Sequence, residues 1–120
     1  MARAASDALQ DIKSTIYNIK RLLDGLSFVD IESDWPTKSA LERGIEVISE
    51  ASRNIPDEMK ELYGPTIPWR SIADIGNWIR HSYHKTSLLA LWDIYVGDLD
   101  PLEAVIDAMI AAIPPSPPRS

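Results

Sequence analysis

The apolar residues of this chain recur at intervals of three and four, and this spacing restricts the possible folds more than any other feature. Such a repeat places the apolar side chains along one side of an α-helix. Alternation at period two, which is typical of a half-buried strand, is nearly absent. The spacing therefore predicts an all-α protein. The stripe of the first helix consists of Leu9, Ile12, Ile16, Ile19, Leu23 and Leu26.

Glycine, proline and capping residues divide the first half of the chain into helical segments. Gly25 is expected to end the first helix, with residues 28 and 29 in the connection that follows. Either Asp34 or Thr37 is expected to cap the second helix. A short helix over residues 57–63 is closed by Gly64. The expected stripe of the second helix is Leu41, Ile45, Ile48 and either Ala51 or Ser52.

The next predicted helix begins beside a proline. Pro68 can occupy its first turn, because the missing N–H costs little there, and the helix is expected to run to about Tyr83. Its expected buried stripe consists of Ile72, Ile75 and Ile79.

Two further segments complete the predicted bundle. Residues 88–96 are rich in Leu, Trp and Ile, and Gly97 interrupts them. Asp100 as cap and Pro101 at the first position are expected to begin the last helix. The expected stripe of that helix is Leu102, Val105, Met109 and Ile113. Together these segments predict an antiparallel bundle of four or five helices.

Length and composition restrict the class of protein further. A chain of 120 residues is expected to form one domain, here residues 1–113. The tail of residues 114–120 is rich in proline, so it is expected to be disordered or polyproline II. The absence of cysteine excludes a disulfide scaffold, a thiolate metal site and a cysteine nucleophile.

Charge and hydropathy restrict the binding partners and the cellular location that we expect for this protein. The net charge of −6 weighs against a general nucleic-acid coat protein, because binding to phosphate needs positive charge. No run approaches the roughly 18 apolar residues of a membrane span, and the first residues lack the apolar core of a secretory signal. We therefore expect a soluble, cytoplasmic protein.

One stretch, residues 69–85, differs from the rest of the chain. It contains both histidines, His81 and His84, and three cationic residues against one acid, a balance of +2. Two histidines at this spacing could share a metal ion, but the next acid is Asp93, so no metal site is predicted. The charged residues of the stretch are Arg70, Arg80 and Lys85 against Asp74.

The helical wheel separates His81 from the apolar stripe. His81 falls about 180° from Ile72, and Asn77 lies one turn before it, so the two polar side chains can meet. Histidine is suited to general acid–base catalysis because imidazole titrates near neutral pH. An idle surface histidine remains the alternative. Tyr83 falls near the stripe, where a packed tyrosine with its hydroxyl at the rim is the alternative to a functional residue.

The chain resembles the HepT-like proteins of the HEPN superfamily of helical prokaryotic nucleotide-binding proteins. The likeness includes residues 38–52 and 55–58 and covers nearly all of the chain except the proline-rich tail. The segments that carry it most specifically are residues 67–73, Asn77, residues 81–83, residues 89–94 and residues 99–102.

The resemblance implies a fold, an activity and partners. The fold is a homodimeric helical bundle of HEPN type, and the activity is that of an endoribonuclease toxin that needs no metal or other cofactor. The partner is a minimal nucleotidyltransferase antitoxin, which can silence the toxin by adding AMP to a tyrosine. The family motif is Arg, four residues, His, one residue, Tyr. Carried over, its histidine is His81, its tyrosine is Tyr83, and the asparagine that often follows the arginine is Asn77.

The position of the motif arginine holds Gly76 in this chain. An arginine there would hold the scissile phosphate and stabilise its charge in the transition state, which glycine cannot do. Arg80 lies one turn later, and helical side chains lean toward the N-terminus, so its guanidinium could cover the same surface. The alternative is a decayed site, which would leave a binding module that pairs with a nucleotidyltransferase. A purely structural bundle is the third alternative.

Overall fold

A computed structural model describes the backbone of residues 2–82 and 87–113 and the side chains of residues 5–81 and 88–113. Within these ranges the chain is helical and has no strand, which confirms the all-α prediction. Five of the helices are long and two are short. They are α1 (Ala2–Leu23), α2 (Phe28–Glu32), α3 (Trp35–Ser52), α4 (Asp57–Tyr63), α5 (Trp69–Ser82), α6 (Ser87–Gly97) and α7 (Leu99–Ala112).

Helix α3 occupies the centre of the bundle. It packs against α1 on one side and against α5 on another, while α7 packs against α1 and α6. The apolar stripe of α1 is buried in this core as predicted, from Leu9 to Leu23. The prediction was wrong for Leu26, which is 36% exposed. The reason is that Gly25 adopts a positive φ of 77°, which ends the helix before Leu26 and turns the chain away.

The connection after α1 contains a helix that the apolar spacing did not predict. The side chain of Ser27 accepts a hydrogen bond from the N–H of Asp30, and the carboxylate of Asp30 accepts one from the N–H of Ser27. This reciprocal capping box stabilises the first turn of α2. Because α2 has only five residues, it presents a single buried apolar residue, Ile31, and gives no periodic signal.

Helix α3 begins as predicted, with one of the two candidate caps selected. Asp34 is the cap, and its carboxylate accepts hydrogen bonds from the N–H and the hydroxyl of Thr37. Both Ala51 and Ser52 are buried, so the stripe widens at the end of the helix. The short helix α4 ends at Gly64, as predicted.

Helix α5 departs from the predicted burial pattern. Ile72, Ile75 and Ile79 are only partly buried, whereas Gly76 is buried. Helix α5 packs mainly against α3, and the contact line passes through Gly76, so the isoleucines flank the contact. The indole N–H of Trp69 donates a hydrogen bond of 2.8 Å to the carbonyl of Gly64 and fixes the start of the helix. The predicted end near residue 83 lies outside the described residues.

Helix α7 begins two residues earlier than predicted. Its N-cap is Asp98, so Asp100 lies inside the first turn and pairs with Lys20 of α1 instead of capping the helix. The earlier start is accompanied by a different buried stripe, in which Ile106 is buried and Val105 is only partly buried. The buried residues of α7 are Leu99, Leu102, Ile106 and Met109.

In the ranges that the structure describes, no helix is both long enough and apolar enough to cross a membrane. The predicted proline-rich tail, residues 114–120, lies outside those ranges.

Candidate active site

The candidate site lies on helix α5, where Arg80 folds back beside Gly76. The Nη1 atom of Arg80 lies 3.6 Å from the position that a Cβ atom on residue 76 would occupy. Side chains of a helix lean toward its N-terminus, which brings a long side chain at position 80 over the preceding turn. The structure therefore places a guanidinium beside the position where the resemblance calls for an arginine.

The glycine itself has a packing role. Its backbone N–H donates a hydrogen bond of 2.9 Å to Oγ of Ser49 on α3. The same hydroxyl donates a hydrogen bond of 3.1 Å to the carbonyl of Ala73. A Cβ atom on residue 76 would stand 2.7 Å from Oγ of Ser49 and 3.0 Å from its Cβ. No side chain fits at position 76 unless Ser49 moves, because both distances are below van der Waals contact.

A carboxylate on α3 forms an ion pair with Arg80. The Nη1 atom of Arg80 lies 3.3 Å from Oε2 of Glu46, and Nη1 of Arg43 lies 3.3 Å from Oε1 of the same carboxylate. The side chain of Glu46 is 16% exposed, whereas that of Arg80 is 41% exposed. Glu46 is therefore the more enclosed partner, and Arg80 presents its guanidinium at the surface.

Both polar residues predicted beyond the apolar stripe are exposed. His81 and Asn77 lie one turn apart on the outer side of α5, as the helical wheel predicts. Their side chains are not hydrogen-bonded to each other, although both belong to the described part of the chain. Arg70 is also exposed, at the other end of the helix. Three residues of the sequence prediction, Tyr83, His84 and Lys85, lie outside the described residues.

The contacts between α3 and α5 include functional candidates that the sequence did not single out. Glu46 and Ser49 bind residues of α5 directly, and Arg53 donates a hydrogen bond to the carbonyl of Ala73. The helical wheel could have identified Glu46 as a residue at the border of the core. It directly follows the buried Ile45, so it lies about 100° from the core stripe. No sequence pattern indicates which charge on α5 pairs with Glu46.

Among the described residues, no group of three or more metal-ligating side chains forms a cluster. What the site presents is an exposed guanidinium and an exposed imidazole, on neighbouring residues of the same helix. A guanidinium binds a phosphate through charge-assisted hydrogen bonds, and an imidazole can donate or accept a proton near neutral pH. Such a pair can act on a phosphodiester.

Comparison with known proteins points to the same family as the resemblance seen in the sequence. The family model of the HepT-like ribonucleases matches residues 12–109. The chain is 33% identical over 109 residues to a probable ribonuclease HepT of Thermococcus cleftensis, which covers 91% of this chain and 98% of that protein. It is 28% identical over 108 residues to a candidate RNase of Methanocaldococcus jannaschii, which covers 81% of this chain and 88% of that protein. No solved structure matches. The extent of the family match shows that this chain belongs to the HepT-like ribonuclease family.

Proposed function

We propose that this protein is a metal-independent endoribonuclease that acts as a homodimer. A base removes the proton of a ribose 2′-hydroxyl, and the 2′-oxygen attacks the adjacent phosphorus in line. The bond from phosphorus to the 5′-oxygen breaks, and an acid gives that oxygen a proton. The products are a 2′,3′-cyclic phosphate and a 5′-hydroxyl. Because RNA supplies its own nucleophile, the reaction requires no cofactor.

The roles follow from the chemistry of the exposed face of α5. Two copies of His81, one from each subunit, serve as base and acid. Arg80 binds the phosphate and stabilises the extra charge of the transition state. Asn77 orients the imidazole once the substrate is bound, since the two side chains lie one turn apart. The homodimer itself rests on the family resemblance.

The observation that carries the proposal is the position of Arg80 beside Gly76. The Nη1 atom of Arg80 lies 3.6 Å from the Cβ position of residue 76, so the charge that the motif needs comes from one turn later in the same helix. His81, the next residue of the helix, is also exposed. This arrangement favours a working site over a decayed one.

The direct test is cleavage of single-stranded RNA and transfer RNA by the purified protein, in EDTA at neutral pH. We expect cleavage with cyclic phosphate ends, and we expect none with an oligonucleotide that carries 2′-O-methyl groups. His81→Ala should abolish cleavage while circular dichroism and size-exclusion chromatography show an unchanged fold and assembly. Intact RNA after incubation with the native protein contradicts the proposal.

We further propose that the protein is a toxin, active on RNA in the cytoplasm, that a minimal nucleotidyltransferase antitoxin silences by adding AMP to Tyr83. Tyr83 follows His81 by two residues, so a bulky anionic group there would obstruct a phosphate by volume and by charge. Mass spectrometry of the protein co-expressed with such a transferase should show one added AMP on Tyr83. Unmodified Tyr83, or AMP on another residue, contradicts this part of the proposal.

The second candidate is a binding module without catalysis, which pairs with a nucleotidyltransferase. The observation that favours it is Gly76 in the place of the motif arginine, together with a net charge of −6. A protein of this kind would bind its partner but leave RNA intact. This second candidate is contradicted if the native protein cleaves RNA and Arg80→Ala does not.

A further inference from the structure

We infer that Glu46 is the positioning residue for Arg80: its carboxylate holds the guanidinium beside Gly76 before RNA arrives. The inference deepens the proposed function and rests on Arg80 as the phosphate-binding group. Helix α3 and helix α5 run antiparallel here, since Ser49 meets Gly76 and Glu46 meets Arg80. Glu46 therefore reaches the site from a different helix than the residues that contact RNA.

The need for such a residue follows from the flexibility of arginine. A free arginine side chain has many rotamers, and ordering it costs conformational entropy. The ion pair of 3.3 Å with Glu46 fixes the guanidinium in the free protein, so this cost is met before the phosphate binds. Glu46 is only 16% exposed, and its backbone lies in the middle of the central helix, so the anchor itself is well ordered.

The charge of Glu46 also opposes the binding of phosphate. Its carboxylate already neutralises part of the guanidinium of Arg80, and a phosphate must approach both groups. Arg43 pairs with the other oxygen of this carboxylate, at 3.3 Å. We therefore expect the charge of Glu46 to lower the affinity for RNA, while its anchoring of Arg80 raises the rate of the bound complex.

Two substitutions separate these effects. Glu46→Gln keeps the shape and an oxygen that accepts a hydrogen bond from Arg80, but it removes the charge. Glu46→Ala removes the charge and the anchor together. Arg43→Ala is the matched control, because it deletes the other partner of Glu46 and leaves the pair with Arg80 intact. Arg80→Ala serves as the reference for complete loss of the guanidinium.

The measurements are the Kd for a 2′-O-methyl RNA, which binds without being cleaved, and kcat for the same sequence as unmodified RNA. We expect Glu46→Gln to bind about threefold tighter at low salt, because it keeps the anchor and loses the opposing charge. In Glu46→Ala the loss of the anchor offsets this gain, so its Kd should stay within about twofold of the native value. We expect kcat to stay within about twofold in Glu46→Gln and to fall about tenfold in Glu46→Ala, because a misplaced guanidinium stabilises the transition state less. Arg43→Ala should keep kcat within about twofold.

Two results overturn the inference. One is an unchanged kcat in Glu46→Ala in a protein whose kcat Arg80→Ala lowers. The other is an equal loss of kcat in Glu46→Gln and Glu46→Ala, which would mean that the charge and not the anchor matters. Thermal unfolding of each variant separates these effects from loss of the fold.

If the native protein does not cleave RNA, the proposed function fails but the inference is still tested. The side-chain N–H signal of Arg80 in an NMR spectrum should shift and broaden in Glu46→Ala and should stay sharp in Arg43→Ala. An unchanged Arg80 signal in Glu46→Ala overturns the positioning role whatever the activity.

Discussion

Ser49 of α3 and Gly76 of α5 are joined by a hydrogen bond of 2.9 Å at a contact that leaves no space for a side chain on residue 76. The hydroxyl that accepts this bond also donates one to Ala73, so Ser49 is fixed from two directions. Glycine in the interior of a helix costs about 1 kcal/mol relative to alanine. The close approach of the two helices offsets that cost, and it explains why a glycine fits this position.

The first prediction concerns the stability of this contact. Gly76→Ala should lower the free energy of unfolding by about 1–3 kcal/mol, since the added methyl group displaces Ser49 and its hydrogen bonds. Chemical denaturation measures the effect. Gly97→Ala is the matched control, because a Cβ atom there meets nothing within 4 Å. A gain in stability for Gly76→Ala would show that the helices separate at no cost.

The second prediction concerns the missing arginine. Gly76→Arg alone should destabilise the protein, whereas Gly76→Arg combined with Ser49→Gly should fold, because the second change makes room at the contact. Arg80→Ala should lower kcat/KM by about a hundredfold. The double substitution should recover part of this loss when it is added to Arg80→Ala. If the native protein is inactive and the double substitution alone creates cleavage, Arg80 does not serve in place of the motif arginine.

The third prediction concerns the two copies of His81. A dimer with one native subunit and one His81→Ala subunit, purified through two different tags, should be as inactive as the fully substituted dimer. The reason is that one imidazole cannot serve as base and as acid at the same time. Arg70→Ala, which removes an exposed cation from the same helix, should leave activity within about twofold. Half activity in the mixed dimer would show that each subunit works alone.

The fourth prediction concerns the ion pairs between α1 and α7. The hydrogen bond from Lys20, followed by that from Lys13, holds the pKa of Glu103 below its ordinary value of 4.5. A carboxylate with a lowered pKa in the folded state contributes stability above its unfolded pKa, and this contribution is lost as the pH falls through the folded value. Acid should therefore weaken the α1–α7 contact below about pH 4.5.

The same contact is also weakened by base, through its lysine partner. Hydrogen bonds to Asp100 first and to Glu103 second raise the pKa of Lys20 above 10.5. Its contribution is complete below the unfolded pKa and is lost as the pH rises through the folded value. Glu103→Gln should cost about 1 kcal/mol at neutral pH and should flatten the acid limb of the stability profile. Asp93→Asn, at an exposed acid of α6, should leave the profile unchanged. An unaltered acid limb in Glu103→Gln would contradict the assignment.

The sequence determined the described helices other than α2, and the exposed side of the site. The spacing of Leu9 to Leu23 predicted the core face of α1, and the two candidate caps, Asp34 and Thr37, located the start of α3 to within a few residues. These features depend on residues within a few turns of each other, so one segment of the sequence is enough to predict each of them. The exposure of Asn77 and His81 follows from the same periodicity.

Only the tertiary structure decided how α5 meets α3. The isoleucine stripe of α5 predicted a contact centred on Ile72, Ile75 and Ile79, but the contact passes through Gly76, because a residue without a side chain lets two helices approach closely. That approach brings Glu46 to Arg80 across 34 positions of the sequence. No local pattern specifies such a pair, since its geometry depends on the register between two helices, and that register is set by packing across the whole bundle.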